Sequence, residues 1–365
     1  MLSQEKKVII CAGGTGGHVF PAKKLAELLL AKGVNIEWIG SSRGPEENIC
    51  KNLGINFYKY PMIGFRGKSN FKKLISLTLL FLSLIKFLIQ FQLPNLFSKN
   101  NILICFGGYI SLLGLSHFSG PIFIQEQNTI PGSTNRLLAR LKNIQKIFCG
   151  FPETVKFFSS EKAIFTGNLI NLDPGKVKNS PRELDELRIK IIGGSQGARI
   201  INETMPRLFK DMLESFPKLK LKITHQCGRE KKTEIQSVYN SLKGNIDFEI
   251  HEFIDEMEYF YSHADLIVSR AGALSVSEIC ASKNIAIFIP LANSIDNHQY
   301  ENAKFLVNKN SAFICEEKNI HKSLNDLILK IINKPNLIND MRNKISKISL
   351  SDENELILQS ILNND

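Results

Sequence analysis

Short apolar runs alternate with longer segments of helical periodicity along most of the chain, and this pattern predicts a parallel α/β architecture. The polar segment 168–186, which contains two prolines and a glycine, has no sustained hydrophobic period and divides the runs into two series. We therefore predict two doubly wound domains, joined by a linker, with a cleft between them. The predicted strands are 8–11, 36–40, 102–106, 122–125, 146–149 and 163–166 in the first series, and 189–192, 221–226, 248–251, 266–269, 286–289 and 312–315 in the second.

The loop after the first strand reads Gly-Gly-Thr-Gly-Gly-His over residues 13–18 and leads into a helical pattern. Glycines let the backbone approach a ligand, and a helix N-terminus presents free N–H groups and positive potential, so we expect an anionic or hydroxyl-rich ligand there. The spacing is not the G-x-G-x-x-G dinucleotide fingerprint. His18 has two interpretations. It either packs or faces solvent at the helix start, or it stays neutral beside the helix dipole and accepts a proton during catalysis.

Three loops of the second series carry related chemistry. The glycine-rich stretch 193–197 again lies between a strand and a helix, and it predicts either a second phosphate cradle or a second tight turn. Ser275 and Glu278 have capping-box spacing. Glu278 therefore either caps a helix or accepts hydrogen bonds from vicinal ribose hydroxyls in the cleft. The polar segment 296–302 follows a strand and suits the binding of a sugar.

The net charge of +11 lies entirely in the first half of the chain, where residues 1–168 hold 20 basic and 8 acidic side chains, against 26 and 27 in the remainder. Within that half, the stretch 48–125 contains eight basic residues and no acidic residue, and it encloses the apolar run 74–93. These features predict a basic, lipophilic surface.

The apolar run 74–93 has three interpretations: a buried core helix, an interfacial helix that docks on anionic lipid, or a transmembrane helix. Lys86 lies near its middle and argues against a transmembrane helix, because a lysine at mid-bilayer costs roughly 2.5–3.5 kcal/mol on insertion scales. The basic residues that precede the run and suit lipid headgroups are Arg66, Lys68, Lys72 and Lys73.

The seven cysteines lie mostly in apolar runs and form neither a CxxC pair nor a metal-ligand spacing. This usage predicts reduced core residues of a cytoplasmic protein and no metal site. The N-terminal residues do not have the pattern of a secretory signal, so we expect the chain to stay on the cytoplasmic side.

Seven segments together match one family, in the same order along nearly the whole chain. They are GGTGGHVFPA (13–22), FGGY (106–109), EQNTIPGSTNRLLA (126–139), GGSQGAR (193–199), EFIDEM (252–257), GALSVSE (272–278) and DNHQYENA (296–303). With these segments the chain resembles the MurG-type glycosyltransferases. Those enzymes transfer N-acetylglucosamine from UDP-N-acetylglucosamine to undecaprenyl-diphospho-N-acetylmuramoyl-pentapeptide, the step from lipid I to lipid II in peptidoglycan synthesis, and thereby serve cell wall biogenesis, cell shape, the cell cycle and cell division.

The resemblance implies a GT-B fold with two doubly wound Rossmann-like domains facing a cleft. The N-terminal acceptor and membrane-associating domain would span 1–168, the UDP-sugar domain 169–340, and a C-terminal helix over 341–365 would return to the first domain. The implied protein is an inverting hexosyltransferase, peripheral on the cytoplasmic face of the plasma (inner) membrane. Its partners would be UDP-N-acetylglucosamine, an undecaprenyl-linked lipid acceptor and an anionic membrane surface, with no nucleic acid.

The resemblance also assigns roles to residues. His18 would be the general base, Glu278 would hold the ribose and Gln299 the sugar hydroxyls. Neither a metal nor another cofactor is required, because helix N-termini can stabilise the charge that develops on UDP, and the chain contains no Asp-x-Asp. The other substrate contacts would be Thr15, Gly16, Gly17 and Asn128 on the sugar and acceptor side, Ser195 at the diphosphate, Ile254 at the uracil, and Ala273, Leu274, Ser275, Val276 and Ser277 along the nucleotide pocket.

Three positions depart from the family pattern. Where the family commonly has Gly-Asn-Pro-Val-Arg at the domain junction, this chain has Asn171 in place of the arginine. A charge-assisted contact to the nucleotide, worth roughly 1.5–3 kcal/mol, is then missing unless Arg199 or Arg270 supplies it. The other departures are Gln125 for the usual histidine before Glu-Gln-Asn, and His298 for the first of two glutamines.

Other function classes explain fewer of these features. A nicotinamide-dependent oxidoreductase would need a dinucleotide fingerprint and one cofactor domain. A non-catalytic membrane-binding protein would not need two glycine-rich loops and a polar cleft, and a nucleic-acid binder would carry a known motif or aromatics among its basic residues. The nearest alternative is a related GT-B transferase that acts on another lipid acceptor, such as a diacylglycerol.

Overall fold

The chain folds as two units, Met1–Asn171 with Ser351–Asp365, and Leu172–Leu350. Each unit is built on its own parallel sheet. The computed structural model describes residues 7–41, 44–64, 69–95, 101–179, 186–194, 196–334, 336–348 and 353–363.

Strands alternate with α or 3₁₀ helices along most of both units. The strands are β1 (Lys7–Cys11), β2 (Asn35–Gly40), β3 (Asn56–Lys59), β4 (Asn101–Cys105), β5 (Ile122–Glu126), β6 (Ile144–Cys149), β7 (Ala163–Phe165), β8 (Glu186–Ile192), β9 (Lys220–Gln226), β10 (Ile246–His251), β11 (Leu266–Ser269), β12 (Ala286–Phe288) and β13 (Ala312–Ile314). The helices are α1 (Gly16–Ala31), α2 (Glu46–Leu53), α3 (Asn70–Phe87), α4 (Ser133–Leu138), α5 (Arg199–Ser215), α6 (Lys232–Asn240), α7 (Met257–Tyr261), α8 (Ala273–Ala281), α9 (His298–Val307), α10 (Ile320–Asn333), α11 (Asn336–Ile345) and α12 (Glu353–Leu362). A π-helical turn extends α3 over Leu88–Gln92, and short 3₁₀ helices span Leu93–Asn95, Ile110–Ser116, Pro152–Phe157, Pro174–Lys176 and Ile295–Asn297.

The sheet of the first unit has the order β3-β2-β1-β4-β5-β6-β7, with every neighbouring pair parallel. The order reverses between β1 and β4, so the loops that follow these two strands border the switch point where such sheets bind ligands. All six strands predicted for this half are present. The sequence did not predict β3, because this edge strand is only partly buried and lacks a sustained apolar run.

Alternate residues of the central strand β1 enter the two cores of the first unit. Val8 and Ile10 pack on one side of the sheet with α1, and Ile357, Leu358 and Ile361 of α12 belong to that same core. Ile9 and Cys11 pack on the other side, in a core that includes Phe87 and Phe91 from the end of α3 and its π turn. The C-terminal helix is thus part of the first unit.

The second unit has a six-stranded parallel sheet with the order β10-β9-β8-β11-β12-β13, and its switch point lies between β8 and β11. All six predicted strands are present. Ile338 and Met341 of α11 are buried in its core, so this unit continues beyond residue 340. All seven cysteines of the chain are buried and unbridged, as predicted.

Helix α3 has an inverted distribution of side chains. Its buried residues are Ser76, Ser83 and Phe87, whereas large apolar side chains cover the outer surface. The interpretation of the run 74–93 as a buried core helix is therefore wrong. With its π turn, the segment is long and apolar enough to cross a membrane by length and composition. The exposed large apolar residues of this segment are Phe71, Leu74, Ile75, Leu77, Phe81, Leu82, Ile85 and Ile89, and Leu93 directly after it is also exposed.

Candidate active site

The loops after β1 and β4 meet at the switch point of the first sheet, and His18 is the side chain that joins them. His18 is the third residue of α1 and is partly exposed. A Cβ atom placed on Gly107 would lie 3.3 Å from Nε2 of His18, and one on Gly108 would lie 3.5 Å from its Cε1. Both glycines have positive φ values, of 90° and 69°, which favour glycine. The GGTGGH and FGGY segments thus form one surface.

The side chain of Thr15 holds the imidazole of His18. Its Oγ1 lies 3.1 Å from Nδ1 of His18, although Thr15 occupies the N-cap position of α1, where a threonine commonly caps the helix instead. With Nδ1–H donating to Thr15, Nε2 carries the lone pair that a general base needs. In the part of the chain that the structure describes, the backbone N–H groups of Thr15, Gly16 and Gly17 donate no hydrogen bond to the protein. They can therefore donate to an anionic or hydroxyl-rich ligand.

Glu46, which the sequence did not predict as a site residue, supports this loop from within the protein. The fully buried carboxylate accepts hydrogen bonds through Oε1 from the N–H of Gly14 at 2.8 Å, and from the N–H and Oγ of Ser41 at 3.2 and 2.9 Å. A Cβ atom on Gly13 would lie 2.7 Å from the same oxygen, so only glycine permits this approach. No motif links Glu46 to Gly14, which precedes it by 32 positions.

We expect Glu46→Ala to lower the free energy of unfolding by about 2–4 kcal/mol, because it leaves three donors without the acceptor that they share. The matched control is Glu47→Ala, which removes an exposed partner of Lys59 and should change stability by no more than about 0.5 kcal/mol. Chemical denaturation of both variants measures the difference. Equal denaturation midpoints for Glu46→Ala and Glu47→Ala would show that Glu46 does not support the loop.

Asn128 lies on a loop that a second buried carboxylate organises. Glu126 accepts hydrogen bonds from the N–H groups of Asn128 and Gly132, at 3.0 and 2.9 Å, and from Nδ2 of Asn135 at 2.8 Å. Burial raises the pKa of the Glu126 carboxyl, and these hydrogen bonds oppose that rise. The carbonyl of Asn128 accepts from Oγ1 of Thr154 at 2.8 Å. The backbone around Asn128 is thus fixed from both sides, whereas its side chain is only partly buried.

Gln125, one of the departures from the family pattern, belongs to a buried network of amides. Its Nε2 donates to Oδ1 of Asn168 at 3.1 Å, and its Oε1 accepts from Nε2 of Gln127. Gln127 also donates to the carbonyl of Phe106 at 3.0 Å, and Nδ2 of Asn168 donates to the carbonyl of Gln127 at 3.0 Å. The substitution of histidine by Gln125 therefore changes the support of the FGGY loop rather than an exposed surface.

In the second unit, the glycine-rich loop after β8 packs tightly against the loop after β9. Gly194 and Gly197 have φ values of 78° and 72°, and a Cβ atom on Gly197 would overlap the carbonyl of Cys227. A tight turn is therefore present at this position, and the phosphate cradle stays a prediction. Ser195, the residue predicted at the diphosphate, lies outside the described residues, as do Arg66 and Lys68 of the predicted lipid surface.

Helix α8 carries six of the predicted donor contacts on consecutive positions. Its N-cap is Gly272, and no side chain caps the helix, so the capping-box interpretation of Ser275 and Glu278 is wrong. Glu278 instead accepts a hydrogen bond at Oε2 from the hydroxyl of Tyr261 at 3.1 Å. Burial raises the pKa of Glu278 to about 7, with the nearby Glu258 adding to the rise and the hydrogen bond from Tyr261 opposing it. Within the helix, Ala273, Val276 and Ser277 are buried, and Leu274 and Ser275 are partly buried.

The remaining predicted donor contacts lie on other loops of the second unit. Ile254 is partly buried in the loop between β10 and α7. Gln299, at the start of α9, accepts at Oε1 from the N–H of Leu291 at 3.0 Å. Its side-chain oxygen is thus used to shape the loop after β12. His298, the third departure from the family pattern, is the first residue of the same helix.

Neither arginine considered as a substitute for the missing one is unpaired. Nη1 of Arg270 contacts Oε1 of Glu317 at 2.6 Å and donates to the carbonyl of Ile289 at 3.0 Å. Arg199 is exposed and pairs with Glu203 at 2.6 Å. Asn171 is exposed at the end of the first unit.

The residues predicted for the reaction thus fall into two groups. One is assembled around His18 in the first unit, and the other surrounds Glu278 in the second. Within the described ranges, no cluster of three or more His, Cys, Asp or Glu side chains could hold a metal ion.

Comparison with known proteins identifies the family to which this arrangement belongs. The model of the glycosyltransferase family 28 N-terminal domain matches residues 8–145, and the model of the family's C-terminal domain matches residues 188–355. The chain belongs to glycosyltransferase family 28. The first match includes the group around His18 and ends within β6, and the second includes the group around Glu278 and nearly the whole second sheet.

Two curated relatives of this family member are named UDP-N-acetylglucosamine--N-acetylmuramyl-(pentapeptide) pyrophosphoryl-undecaprenol N-acetylglucosamine transferase. The protein from Wigglesworthia glossinidia brevipalpis is 36% identical over 373 residues, covering 100% of this chain and 98% of its own. The protein from Vesicomyosocius okutanii is 35% identical over 371 residues, covering 100% of both chains. The crystal structure of Acinetobacter baumannii MurG superposes with a TM-score of 0.76 at 30% identity, covering 98% of this chain and 99% of that one. These matches confirm the MurG-type resemblance and the GT-B fold class.

Proposed function

We propose that this chain transfers N-acetylglucosamine from UDP-N-acetylglucosamine to the 4-hydroxyl of undecaprenyl-diphospho-N-acetylmuramoyl-pentapeptide, in the synthesis of peptidoglycan. The observation that carries the proposal is the position of His18. It lies in the first turn of a helix, is hydrogen-bonded to Thr15, and lies against the backbone of Gly107 and Gly108. A cell that depends on this step for its wall would depend on the enzyme for its shape and division.

In the proposed reaction, His18 removes the proton from the 4-hydroxyl of the acceptor as the oxygen attacks the anomeric carbon. The bond from that carbon to the UDP oxygen breaks, and the electron pair leaves with UDP. Backbone N–H groups at helix N-termini stabilise the developing charge, so no carboxylic acid has to protonate the leaving group. A single direct displacement inverts the anomeric centre. The acceptor would contact Thr15, Gly16, Gly17 and Asn128.

The donor would bind on the second unit. Glu278 would accept hydrogen bonds from the ribose hydroxyls, and Gln299 would contact the sugar. Ile254 would contact the uracil. The diphosphate would lie at Ser195, and the nucleotide pocket would be lined by Ala273, Leu274, Ser275, Val276 and Ser277.

We expect Asn171→Arg to tighten the binding of UDP by about 10–100-fold, since one charge-assisted hydrogen bond contributes roughly 1.5–3 kcal/mol. This expectation follows if Arg199 and Arg270, which pair with Glu203 and Glu317, keep those partners when the nucleotide binds. Calorimetric titration with UDP measures the change, with Asn171→Gln as the neutral control. An Asn171→Arg affinity equal to that of the unchanged chain would mean that another group already fills the role.

We infer that α3 docks the chain on an anionic membrane surface as a peripheral protein, at the cytoplasmic face of the plasma (inner) membrane. A helix that buries serines and exposes leucine and phenylalanine has the reverse of the pattern expected for a water-facing helix. Lys72 and Lys73 are exposed at its start, where they suit anionic headgroups. The helix therefore presents an apolar surface and a basic margin to lipid.

The C-terminal end of this segment favours docking over a membrane span. Phe87 and Phe91 belong to the core, and Oε1 of Gln92 accepts hydrogen bonds from the N–H groups of Phe118 and Ser119 at 2.6 and 2.9 Å. Lys86 lies 4.4 Å from the centre of the Tyr60 ring. If the segment crossed a bilayer, all of these contacts would be broken, whereas an interfacial position keeps them.

The acceptor is tested by offering labelled UDP-N-acetylglucosamine together with either a muramoyl-pentapeptide lipid or a diacylglycerol in mixed micelles. Label that enters only the muramoyl-pentapeptide lipid supports the proposal. Label that enters only the diacylglycerol would overturn it in favour of a related transferase with another lipid acceptor.

A further inference from the structure

The hydroxyl of Tyr261 donates a hydrogen bond to Oε2 of Glu278, and its own position is fixed. Tyr261 is fully buried at the end of α7, and its ring meets that of Phe260 edge to face with 5.4 Å between the centroids. Its carbonyl accepts from Nδ2 of Asn284 at 2.8 Å. The phenol is thus a rigid donor between the loop that carries Ile254 and the helix that carries Glu278.

The two oxygens of the Glu278 carboxylate have different surroundings. Oε2 accepts from Tyr261, whereas Oε1 has no hydrogen-bond partner within the described ranges, and the residue is partly exposed. A carboxylate held by one oxygen presents the other in a fixed direction. Oε1 is therefore the atom available to ribose hydroxyls.

The charges around Glu278 make the hydrogen bond from Tyr261 important for ionisation. Glu258, on the same helix as Tyr261, is a like charge, and its Oε1 accepts from the N–H of Asp173 at 2.9 Å. Burial and Glu258 raise the pKa of Glu278, and the hydrogen bond from Tyr261 lowers it. An ionised carboxylate accepts hydrogen bonds more strongly than a protonated one.

We propose that Tyr261 is a positioning residue for the nucleotide donor, which aims Oε1 of Glu278 at the ribose. This inference rests on the proposed function, because it requires a UDP-sugar at Glu278. Without the phenol hydroxyl, the carboxylate can rotate and takes up a proton at higher pH, and both changes weaken its bonds to the ribose.

Tyr261→Phe tests the proposal, since it removes only the hydroxyl. We expect the Kd for UDP to rise about tenfold near pH 7.5, as expected for the loss of one hydrogen bond to a charged group. Because an ionised Glu278 accepts hydrogen bonds more strongly than a protonated one, affinity should fall as the pH falls through about 7 in the unchanged chain. This loss of affinity at low pH, the acidic limb of the pH profile, should occur about one pH unit higher in Tyr261→Phe. Turnover at saturating donor should stay within about twofold, because the phenol does not touch the reacting atoms.

Two further variants make the result specific. Tyr259→Phe, on the same helix but exposed, removes a hydroxyl that does not contact Glu278 and should leave both Kd and the pH profile unchanged. In a Glu278→Gln background, which has no acidic limb, Tyr261→Phe should add little. An equal tenfold loss in that background would assign Tyr261 a structural role and overturn the proposal.

The outcomes also separate this proposal from the proposed function. If the unchanged chain does not bind UDP, the proposed function itself fails. If it binds UDP, and a folded Tyr261→Phe keeps both the Kd and the pH midpoint, only the role of Tyr261 is contradicted. Thermal melting of each variant establishes that it is folded.

Discussion

Replacing His18 by alanine is expected to lower turnover by about 10²–10⁴-fold while leaving the affinity for the UDP-sugar nearly unchanged. The variant removes the proposed base from the N-terminus of α1, but it leaves the donor contacts around Glu278 intact. Initial rates at saturating donor, together with calorimetric titration with UDP, measure the two quantities. The control His321→Ala removes a partly exposed histidine that pairs with Asp211 in the second unit, and it should retain full turnover.

Two results would contradict this account of His18. Unchanged turnover in His18→Ala would exclude the imidazole as the base. A parallel loss of UDP affinity would instead assign His18 to donor binding. In either case the contact of His18 with Gly107 and Gly108 would be a packing contact only.

The second large effect is expected at the membrane. Phe71 and Leu74 are 72% and 61% exposed on the outer surface of α3. Burying one such side chain in an apolar phase contributes roughly 1.5–3 kcal/mol, so the double variant Phe71→Asp with Leu74→Asp should weaken binding to vesicles that contain phosphatidylglycerol by about 10²–10⁴-fold. Its melting temperature should not change, because neither side chain contributes to the core. Sedimentation with vesicles measures binding.

Val238→Asp is the control for this experiment, because it places an aspartate at an exposed apolar site of the second unit, where the side chain is 40% exposed. It should bind vesicles like the unchanged chain. If the double variant of α3 also binds normally, α3 is not the docking surface. If it loses binding only together with its fold, the segment is structural.

The sheets could be predicted almost completely from the sequence, for a physical reason. Central parallel strands are buried on both faces, so each appears as a continuous apolar run, and all twelve predicted strands are present. The exception, β3, has only four residues, Asn-Phe-Tyr-Lys, and no continuous apolar run. The burial of α3 could not be predicted from its composition, because core and interfacial helices are equally apolar. The informative positions were Ser76 and Ser83, two turns apart on the buried face.

The site could be predicted only where it follows local rules. The glycine-rich loops follow strands, and His18 lies in the first turn of a helix, so both were predictable from neighbouring residues. Glu46 and Tyr261 contact Gly14 and Glu278 over separations of 32 and 17 positions, and no spacing rule connects such pairs. The capping-box interpretation of Ser275 was wrong because the same spacing of three occurs inside a helix, where α8 places both residues.

The central claim is tested most directly by the transfer of labelled N-acetylglucosamine from UDP-N-acetylglucosamine to a short-chain muramoyl-pentapeptide lipid, using the purified full chain with and without a chelator. The account predicts a labelled disaccharide lipid with an inverted anomeric centre, formed at the same rate in both samples. A folded chain that binds UDP-N-acetylglucosamine but leaves this lipid unlabelled would contradict the proposed acceptor. Transfer that stops on addition of the chelator would contradict a reaction carried by His18 and backbone N–H groups alone.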